Sequence, residues 1–187
     1  LAGDLARKAA SESHETIKVA GSLPPLNGSY RPDRVLNKEV IEPIYRQQCE
    51  ALCPYVDVFL AETMSTIQEA VSAASVASRF GKPVLVGLTL HDEQKGKLRS
   101  GEPLSDAICE LKKLNLEGLL ANCSLPERIT DAMPTIAGSG FTYSGGYANA
   151  FCNVPTDWLL DGDKDTDGKL EVRKDLTPNR YLQFVIE

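Results

Sequence analysis

The sequence contains few of the features that mark membrane, secreted or nucleic-acid-binding proteins. No apolar run approaches the roughly 20 residues that a membrane-spanning helix needs, and the first residues lack the basic region and apolar stretch of a signal peptide. Lys and Arg number 20 against 26 for Asp and Glu, a net charge of -6, and no window is markedly basic. We therefore expect a soluble protein that binds neither nucleic acid nor a membrane.

Two common kinds of active site are also missing. The only two histidines are His14 and His91, and no local pattern places a Ser or Cys with a helping acid beside either. His91 follows a predicted strand and could face a pocket, but a surface position is the favoured interpretation for both. Neither a Walker-type loop nor a GxGxxG motif occurs, so a nucleotide cofactor is not indicated.

The five cysteines are an odd number, spread along a chain that is neither short nor rich in loops. Disulfide frameworks are typical of small secreted domains, whereas free thiols are typical of a reducing compartment. We therefore predict free thiols and a cytoplasmic location. The five are Cys49, Cys53, Cys109, Cys123 and Cys152.

Short β-rich apolar runs alternate along the chain with longer stretches of helical period. A chain of this length buries roughly 70% of its unfolded surface, and we expect one domain over residues 1–187. Most of the runs are apolar on both faces, as in a covered parallel sheet, and the alternation indicates βα units. The predicted strands are Ile17 to Ser22, Val56 to Glu62, Pro83 to Leu90, Leu116 to Ser124 and Gly140 to Gly145. The predicted helical segments follow Asp33, Ser65, Leu104 and Leu125, and the last runs from Pro178 to the end.

The best-marked helix lies between the second and third predicted strands. Ser65 and Gln68 form the pattern of a capping box, and Gly81 followed by Pro83 is typical of a helix end. Apolar residues recur on one face at helical spacing, and we predict that this stripe is buried. The stripe consists of Ile67, Ala70, Val71, Ala74 and Ala77.

Repeated βα units indicate a (β/α)8 barrel, which takes about 250 residues, or roughly 31 per unit. The 187 residues of this chain therefore correspond to only about six units. Both ends look cut, because the chain begins without Met in a helix-like segment and ends in another at QFVIE. An open barrel would expose unpaired strand edges, so we expect the missing strands to exist in the parent protein.

Five stretches of sequence are individually weak but together specific in their order and spacing. They are VAGSLPPLNGSYRPD, DVFLAETMSTIQEAVSAASVASRFGKPVLVGLTL, ANCSLPERI, GGYANAF and LTPNRYLQF. In these stretches the chain resembles the homocysteine S-methyltransferase family of zinc-dependent barrels, which includes betaine and S-methylmethionine users. The resemblance covers essentially the whole chain. It implies a (β/α)8 TIM barrel that is seen from about the second helix to the seventh.

The resemblance implies zinc bound by three cysteines, one in an NC motif after the sixth strand and two in a GGCC motif at the end of the eighth. Cys123 matches the first of these, although a buried apolar cysteine is the alternative interpretation. The GGCC pair has no counterpart in this sequence. The helical residues Cys49, Cys53 and Cys109 are poor substitutes, so this chain alone is not expected to complete the zinc site.

The reaction also follows from the resemblance. Three thiolates leave the fourth tetrahedral position of zinc open, and the sulfur of homocysteine would bind there and lose its proton. The thiolate would then take a methyl group from a sulfonium or ammonium donor and give methionine. S-methylmethionine, S-adenosylmethionine and betaine all stay open as donors, and so does the oligomeric state.

Substrate contacts are implied near the ends of two early strands. Glu62 would bind the homocysteine amino group, whereas the alternative is that its carboxylate caps the helix starting at Ser65. Gly21 and Ser22 would lie in a turn after the third barrel strand. The backbone of Gly21 would approach the substrate closely, and Ser22 would supply a hydroxyl group. Gly21 could instead simply permit the turn.

Further contacts are implied near the ends of two later strands. Asn122 would orient the metal ligand or the substrate through its amide. Tyr147 and Asn149 would form a polar wall after the seventh strand, or else satisfy loop backbone as interior polar groups. Gly145 and Gly146 are interpreted as turn residues.

One acidic segment resembles the first half of a calcium loop. Asp163, Asp165, Asp167 and Gly168 have the right spacing, but Lys174 occupies the position where calcium needs a bidentate Glu. An acidic, solvated loop is the favoured interpretation, with weak calcium binding as the alternative.

Two other functions stay open on the sequence alone. A barrel remnant without the metal pair could act as a non-catalytic binding or scaffold domain, and a barrel enzyme could use another methyl carrier such as a folate. A GGCC motif shortly beyond Glu187 would favour the zinc enzyme over both.

Overall fold

A computed structural model of the chain describes residues 1–162 and 167–187. Within these residues, strands and helices alternate, and the strands form one sheet. The strands are β1 (Ala20–Leu23), β2 (Val58–Met64), β3 (Val84–Leu88), β4 (Gly118–Asn122) and β5 (Tyr143–Tyr147). The helices are α1 (Ala2–Ser11), α2 (Lys38–Leu52), α3 (Ile67–Ala77), α4 (Leu104–Leu111), α5 (Pro126–Ala137) and α6 (Pro178–Ile186). None of these helices is long and apolar enough to cross a membrane.

The strand order indicates a barrel wall. Each strand pairs in parallel with the one before it, giving the order β1-β2-β3-β4-β5. A doubly wound sheet would reverse its order at a switch point, whereas pairing in sequence order is the arrangement of a (β/α)8 barrel. The predicted barrel-type α/β fold is confirmed, and α1 and α6 are the helix-like segments expected at the two ends of the chain.

The main core lies between the sheet and the helices that cover one of its faces. In β2, Phe59 and Ala61 are fully buried on the helix side, while Leu60 and Glu62 on the opposite face are half-buried. Burial on both faces, as the sequence predicts for most strands, occurs in β3 and β4 but not in β5, which is largely exposed. The open face of the sheet carries its polar side chains near the carboxyl ends of the strands.

The capping box of α3 lies one residue later than predicted. Thr66, not Ser65, is the N-cap, and its hydroxyl accepts the N–H of Glu69 at 3.0 Å. The Glu69 carboxylate in turn accepts the N–H of Ser65 at 3.0 Å. A threonine cap and a glutamate three residues later form the same kind of motif, so the predicted motif was correct and its register wrong. The helix ends through a short 3-10 turn at Gly81, whose φ of 67° is left-handed.

Glycines predicted to lie in turns are parts of strands. Gly21 is inside β1, and Gly145 and Gly146 are inside β5. A Cβ on Gly146 would lie 2.6 Å from a side-chain carbon of Ile129 in α5. This glycine therefore lets α5 pack directly on the strand, and turn geometry does not explain it.

Candidate functional site

The carboxyl edge of the sheet brings together most of the residues that the sequence singled out. Ser22, Glu62, Asn122 and Tyr147 lie in the last residues of β1, β2, β4 and β5, and Cys123 directly follows β4. In parallel barrels this edge is where catalytic residues converge. The topology therefore makes neighbours of residues that are up to 125 positions apart, from Ser22 to Tyr147.

Glu62 is at the centre of a hydrogen-bonded set of three side chains. The Ser22 hydroxyl donates to Oε1 of Glu62, and the Tyr147 hydroxyl donates to Oε2 at 2.7 Å. Tyr147 is three strands from Glu62, or about 14 Å along a flat sheet, so the contact depends on the inward curvature of the wall. Each carboxylate oxygen keeps a free lone-pair direction for a further donor.

The protonation state of Tyr147 follows from its surroundings. Burial raises the pKa of the Tyr147 phenol above its ordinary value, and the hydrogen bond to the Glu62 carboxylate raises it further. The phenol therefore remains a proton donor at neutral pH. The side chain is still 37% exposed, so the set can be reached from the open face of the sheet.

Glu62 does not cap α3, which removes the alternative role considered for it. Two of the first N–H groups of that helix are met by other residues: Glu102 accepts from Ile67 and Thr66 accepts from Glu69, each at 3.0 Å. The Glu62 carboxylate is instead held on the open face by Ser22 and Tyr147.

Asn122 is fully buried, and both ends of its amide contact Thr63 of β2. Gly21 faces the opposite side of the sheet, where a Cβ would lie 3.0 Å from Val56. Asn149 donates to the Tyr30 hydroxyl at 3.4 Å and accepts the N–H of Phe151 at 3.2 Å, as the interior-polar interpretation predicts. The substrate roles of these three residues stay predictions.

Cys123 has a left-handed backbone, with φ of 48°. Its N–H donates to the carbonyl of Tyr147 at 3.1 Å, and its carbonyl accepts the Thr89 hydroxyl at 3.3 Å. The half-buried thiol packs against a small cluster formed by Tyr30, Val154, Trp158 and Leu170. The loop after β1 and the loop after β5 thus meet above Cys123.

Tyr30 joins these two loops and was missed by the sequence analysis. Its ring meets the Trp158 ring edge-on at 6.0 Å, and the Arg99 guanidinium lies 5.7 Å from its centroid. Burial raises the pKa of Tyr30 above its ordinary value, and the neighbouring Cys123 thiol adds to the increase. The sequence carried a signal for this position, because Tyr30 lies in the loop after the first predicted strand, and loops at this end of the strands form the site.

The residues present do not fit a complete zinc site. Across residues 1–162 and 167–187, no group of three or more His, Cys, Asp or Glu side chains lies close enough together to bind a metal. The phenols of Tyr30 and Tyr147 lie near Cys123, but their raised pKa values keep them protonated, unlike the thiolates and imidazoles that zinc prefers. Cys123 therefore offers one ligand.

Two of the other cysteines lie on helices, and His91 is engaged within its own loop. Cys49 is buried in α2, where burial raises its pKa to about 11, and Cys109 is exposed on α4. The His91 ring nitrogen Nδ1 accepts the N–H groups of Glu93 and Gln94 at 3.1 and 3.2 Å. Within the calcium-like segment, Asp163 and Asp165 lie outside the described residues, and Asp167 accepts the N–H of Leu159.

Comparisons with known proteins agree with this fold. The family model described as Homocysteine S-methyltransferase matches residues 1–186, while a search of curated proteins gave no match. The crystal structure of the homocysteine methyltransferase MmuM from Escherichia coli in its metallated form is 25% identical, with a TM-score of 0.64, covering 78% of this chain and 64% of that one. Its oxidised form gives 24% identity, a TM-score of 0.62 and the same coverages. Its apo form gives 22% and 0.61, covering 78% and 65%. The chain thus spans less than two thirds of the length of these structures.

Proposed function

This chain belongs to the homocysteine S-methyltransferase family, and we propose that it transfers a methyl group from a sulfonium or ammonium donor to the thiol of homocysteine, giving methionine. The observation that carries the proposal is the hydrogen-bonded set of Ser22, Glu62 and Tyr147 beside Cys123 at the carboxyl edge of the sheet. The substrates would be two small molecules, homocysteine and the donor.

The reaction needs little acid or base from the protein. The homocysteine thiol loses its proton to solvent, and the resulting thiolate forms a bond to the methyl carbon. The bond between that carbon and the positive sulfur or nitrogen breaks, and its electron pair returns to the heteroatom. The donor leaves as a neutral sulfide or amine at the reacting atom, so the positive charge of the donor favours its departure.

In this proposal Glu62 binds the ammonium group of homocysteine. A carboxylate that two neutral hydroxyl groups hold in place keeps lone pairs for a charge-assisted bond. Ser22 and Tyr147 fix the direction of those lone pairs. The thiol end of the substrate would then extend toward Cys123, because Tyr147 is hydrogen-bonded both to Glu62 and to the Cys123 N–H.

We further propose that Cys123 is a zinc ligand and that the protein depends on zinc. Family membership supports this, as does the metallated form of the E. coli relative. The described residues supply only this one thiol, so a complete site would need further ligands. We also propose that the backbone at Gly21 approaches the substrate closely and that Asn122 orients the metal ligand or the substrate. Asn149 would form part of the polar wall. The five free cysteines support a reducing, cytoplasmic location.

A non-catalytic binding or scaffold domain is the second candidate. One observation favours it, namely that three metal-ligating side chains do not come together in the part of the chain that the structure describes. In that case the strand-end set could still bind an amino acid through Glu62 but would not transfer a methyl group.

The two candidates are separated by replacing Cys123 with Ser in the protein as it occurs in the cell. We expect the variant to lose bound zinc in a native mass spectrum and methionine formation together, by at least about a hundredfold in rate. Cys109→Ser is the matched control, since this exposed thiol lies on α4. Methyl transfer that survives in Cys123→Ser would exclude the metal role, and a wild type without transfer would favour the binding domain.

A further inference from the structure

Thr63, the residue after Glu62, has an unusual backbone. Its φ is 64°, in the left-handed region that β-branched residues rarely adopt. The strand register shifts here, because Ala61 pairs with Val86 and Met64 pairs with Leu88. Glu62 and Thr63 together therefore oppose the single residue Gly87, which is the arrangement of a β-bulge.

Asn122 compensates this strained residue. Its Oδ1 accepts the N–H of Thr63 at 2.9 Å, and its Nδ2 donates to the Thr63 hydroxyl at 2.8 Å. Asn122 is fully buried and Thr63 is 7% exposed, so water does not replace these bonds readily. One amide thus satisfies both polar groups that the bulge turns inward.

Gly87 provides the space for this contact. β3 lies between β2 and β4, so the Asn122 side chain must cross it to reach Thr63. A Cβ on Gly87 would lie only 2.7 Å from Oδ1 of Asn122 and 3.5 Å from the Cα of Glu62. An isolated glycine in an otherwise apolar strand is a known sign of such close approach.

We propose that Asn122 is a positioning residue, which acts through Thr63 to set the direction of Glu62 and its placement relative to Cys123. Glu62 directly precedes Thr63. Cys123, whose own φ of 48° is left-handed, directly follows Asn122. The Asn122–Thr63 pair thus links the two functional residues across the sheet. This inference rests on the proposed function, and it adds Thr63 and Gly87 to the residues that build the site.

The test measures how well the enzyme recognises the amino group of its acceptor. Homocysteine is compared with 4-mercaptobutanoate, which lacks that group, in methyl transfer from S-methylmethionine or betaine. We expect Asn122→Ala to lower the ratio of the two kcat/KM values about tenfold, because Glu62 loses its direction. Asn115→Ala, at an exposed position shortly before β4, should leave the ratio unchanged. A purely structural role would lower both kcat/KM values equally, and that result would overturn the proposal.

A rescue variant separates strain from general damage. Glycine adopts a φ near +64° without cost, so Thr63→Gly added to Asn122→Ala should restore at least about a third of the lost ratio. A double variant that is no better than Asn122→Ala would contradict the role of Thr63. If Asn122→Ala does not fold, Gly87→Ala makes the same test, since it displaces the amide and should lower the same ratio.

A double-mutant cycle on unfolding stability tests the contact between Asn122 and Thr63 without an activity measurement. Gly87→Ala should raise the unfolding equilibrium constant about tenfold in the wild type but less than about threefold in Asn122→Ala, where nothing remains to displace. Equal effects in both backgrounds would overturn the proposed Asn122–Thr63 contact. A wild type that transfers no methyl group would instead overturn the proposed function, and the cycle would still test that contact.

Discussion

The core behind the sheet and the carboxyl edge of the sheet are built in different ways. The core around α3 consists largely of small apolar residues in ordinary helical conformations, such as Ala70, Ala73 and Ala74, all fully buried. At the edge, Thr63 and Cys123 have left-handed backbones, and so does Tyr30 in the loop above them. Strained backbone of this kind persists where the surrounding structure enforces it, often at functional sites. The comparison teaches that packing behind the sheet and the arrangement of the candidate site depend on separate sets of residues.

The largest effect expected from this division is a loss of stability without a loss of specificity. Leu111 on α4 is fully buried, and Leu111→Ala should lower the free energy of unfolding by about 2–5 kcal/mol. Denaturant unfolding measures the loss, with Leu182→Ala as a control because that residue is 54% exposed. The homocysteine preference of the folded fraction should not change. A changed preference would show that core and edge are not separate.

A pH-dependent change in the free energy of unfolding, of intermediate size, should come from a buried carboxyl group in the core. Burial raises the pKa of Glu69 to about 7 from an ordinary value of 4.5. The folded state therefore binds more protons than the unfolded state between these values, so stability should fall as pH rises through this window. We expect a loss of about 3 kcal/mol across it, measured by denaturant unfolding. Glu69→Gln should remove this pH dependence, and an unchanged dependence in that variant would refute the assignment.

The smallest effect concerns a single hydrogen bond at the edge. Tyr147→Phe removes the donor to Oε2 of Glu62, and kcat/KM for homocysteine should fall about tenfold, or about 1.4 kcal/mol. Tyr143→Phe, earlier on the same face of β5, should have no such effect. The stability of both variants should stay close to that of the wild type, since the two side chains are 37% and 57% exposed. A large loss of stability in Tyr147→Phe would place this residue with the core.

The sequence predicts the core better than the edge, for a physical reason. Hydrophobic period and cap chemistry are local, so α3 and its stop at Gly81 could be predicted, with the cap misplaced only from Thr66 to Ser65. The positions of Glu62 and Cys123 followed from family resemblance and from their place after strands. These features depend on neighbouring residues along the chain.

Contacts across the sheet could not be predicted in the same way. The approach of Asn122 to Thr63 depends on strand register and on a glycine in the strand between them. The glycines of β5 were interpreted as turn residues because an adjacent Gly145 and Gly146 resemble a turn in sequence. Gly146 is instead needed for the packing of α5 on the strand, which no local pattern reveals.

The most direct test of the account is the specificity of Glu62→Gln. The kcat/KM values for homocysteine and for 4-mercaptobutanoate are measured in wild type and variant, with Glu117→Gln as a control at the opposite end of β4. We predict that Glu62→Gln lowers the value for homocysteine about a hundredfold while the analogue is nearly unaffected, because only homocysteine carries the ammonium group that the carboxylate binds. Equal losses for both acceptors, or no loss for either, would contradict the assignment of this edge as the homocysteine site.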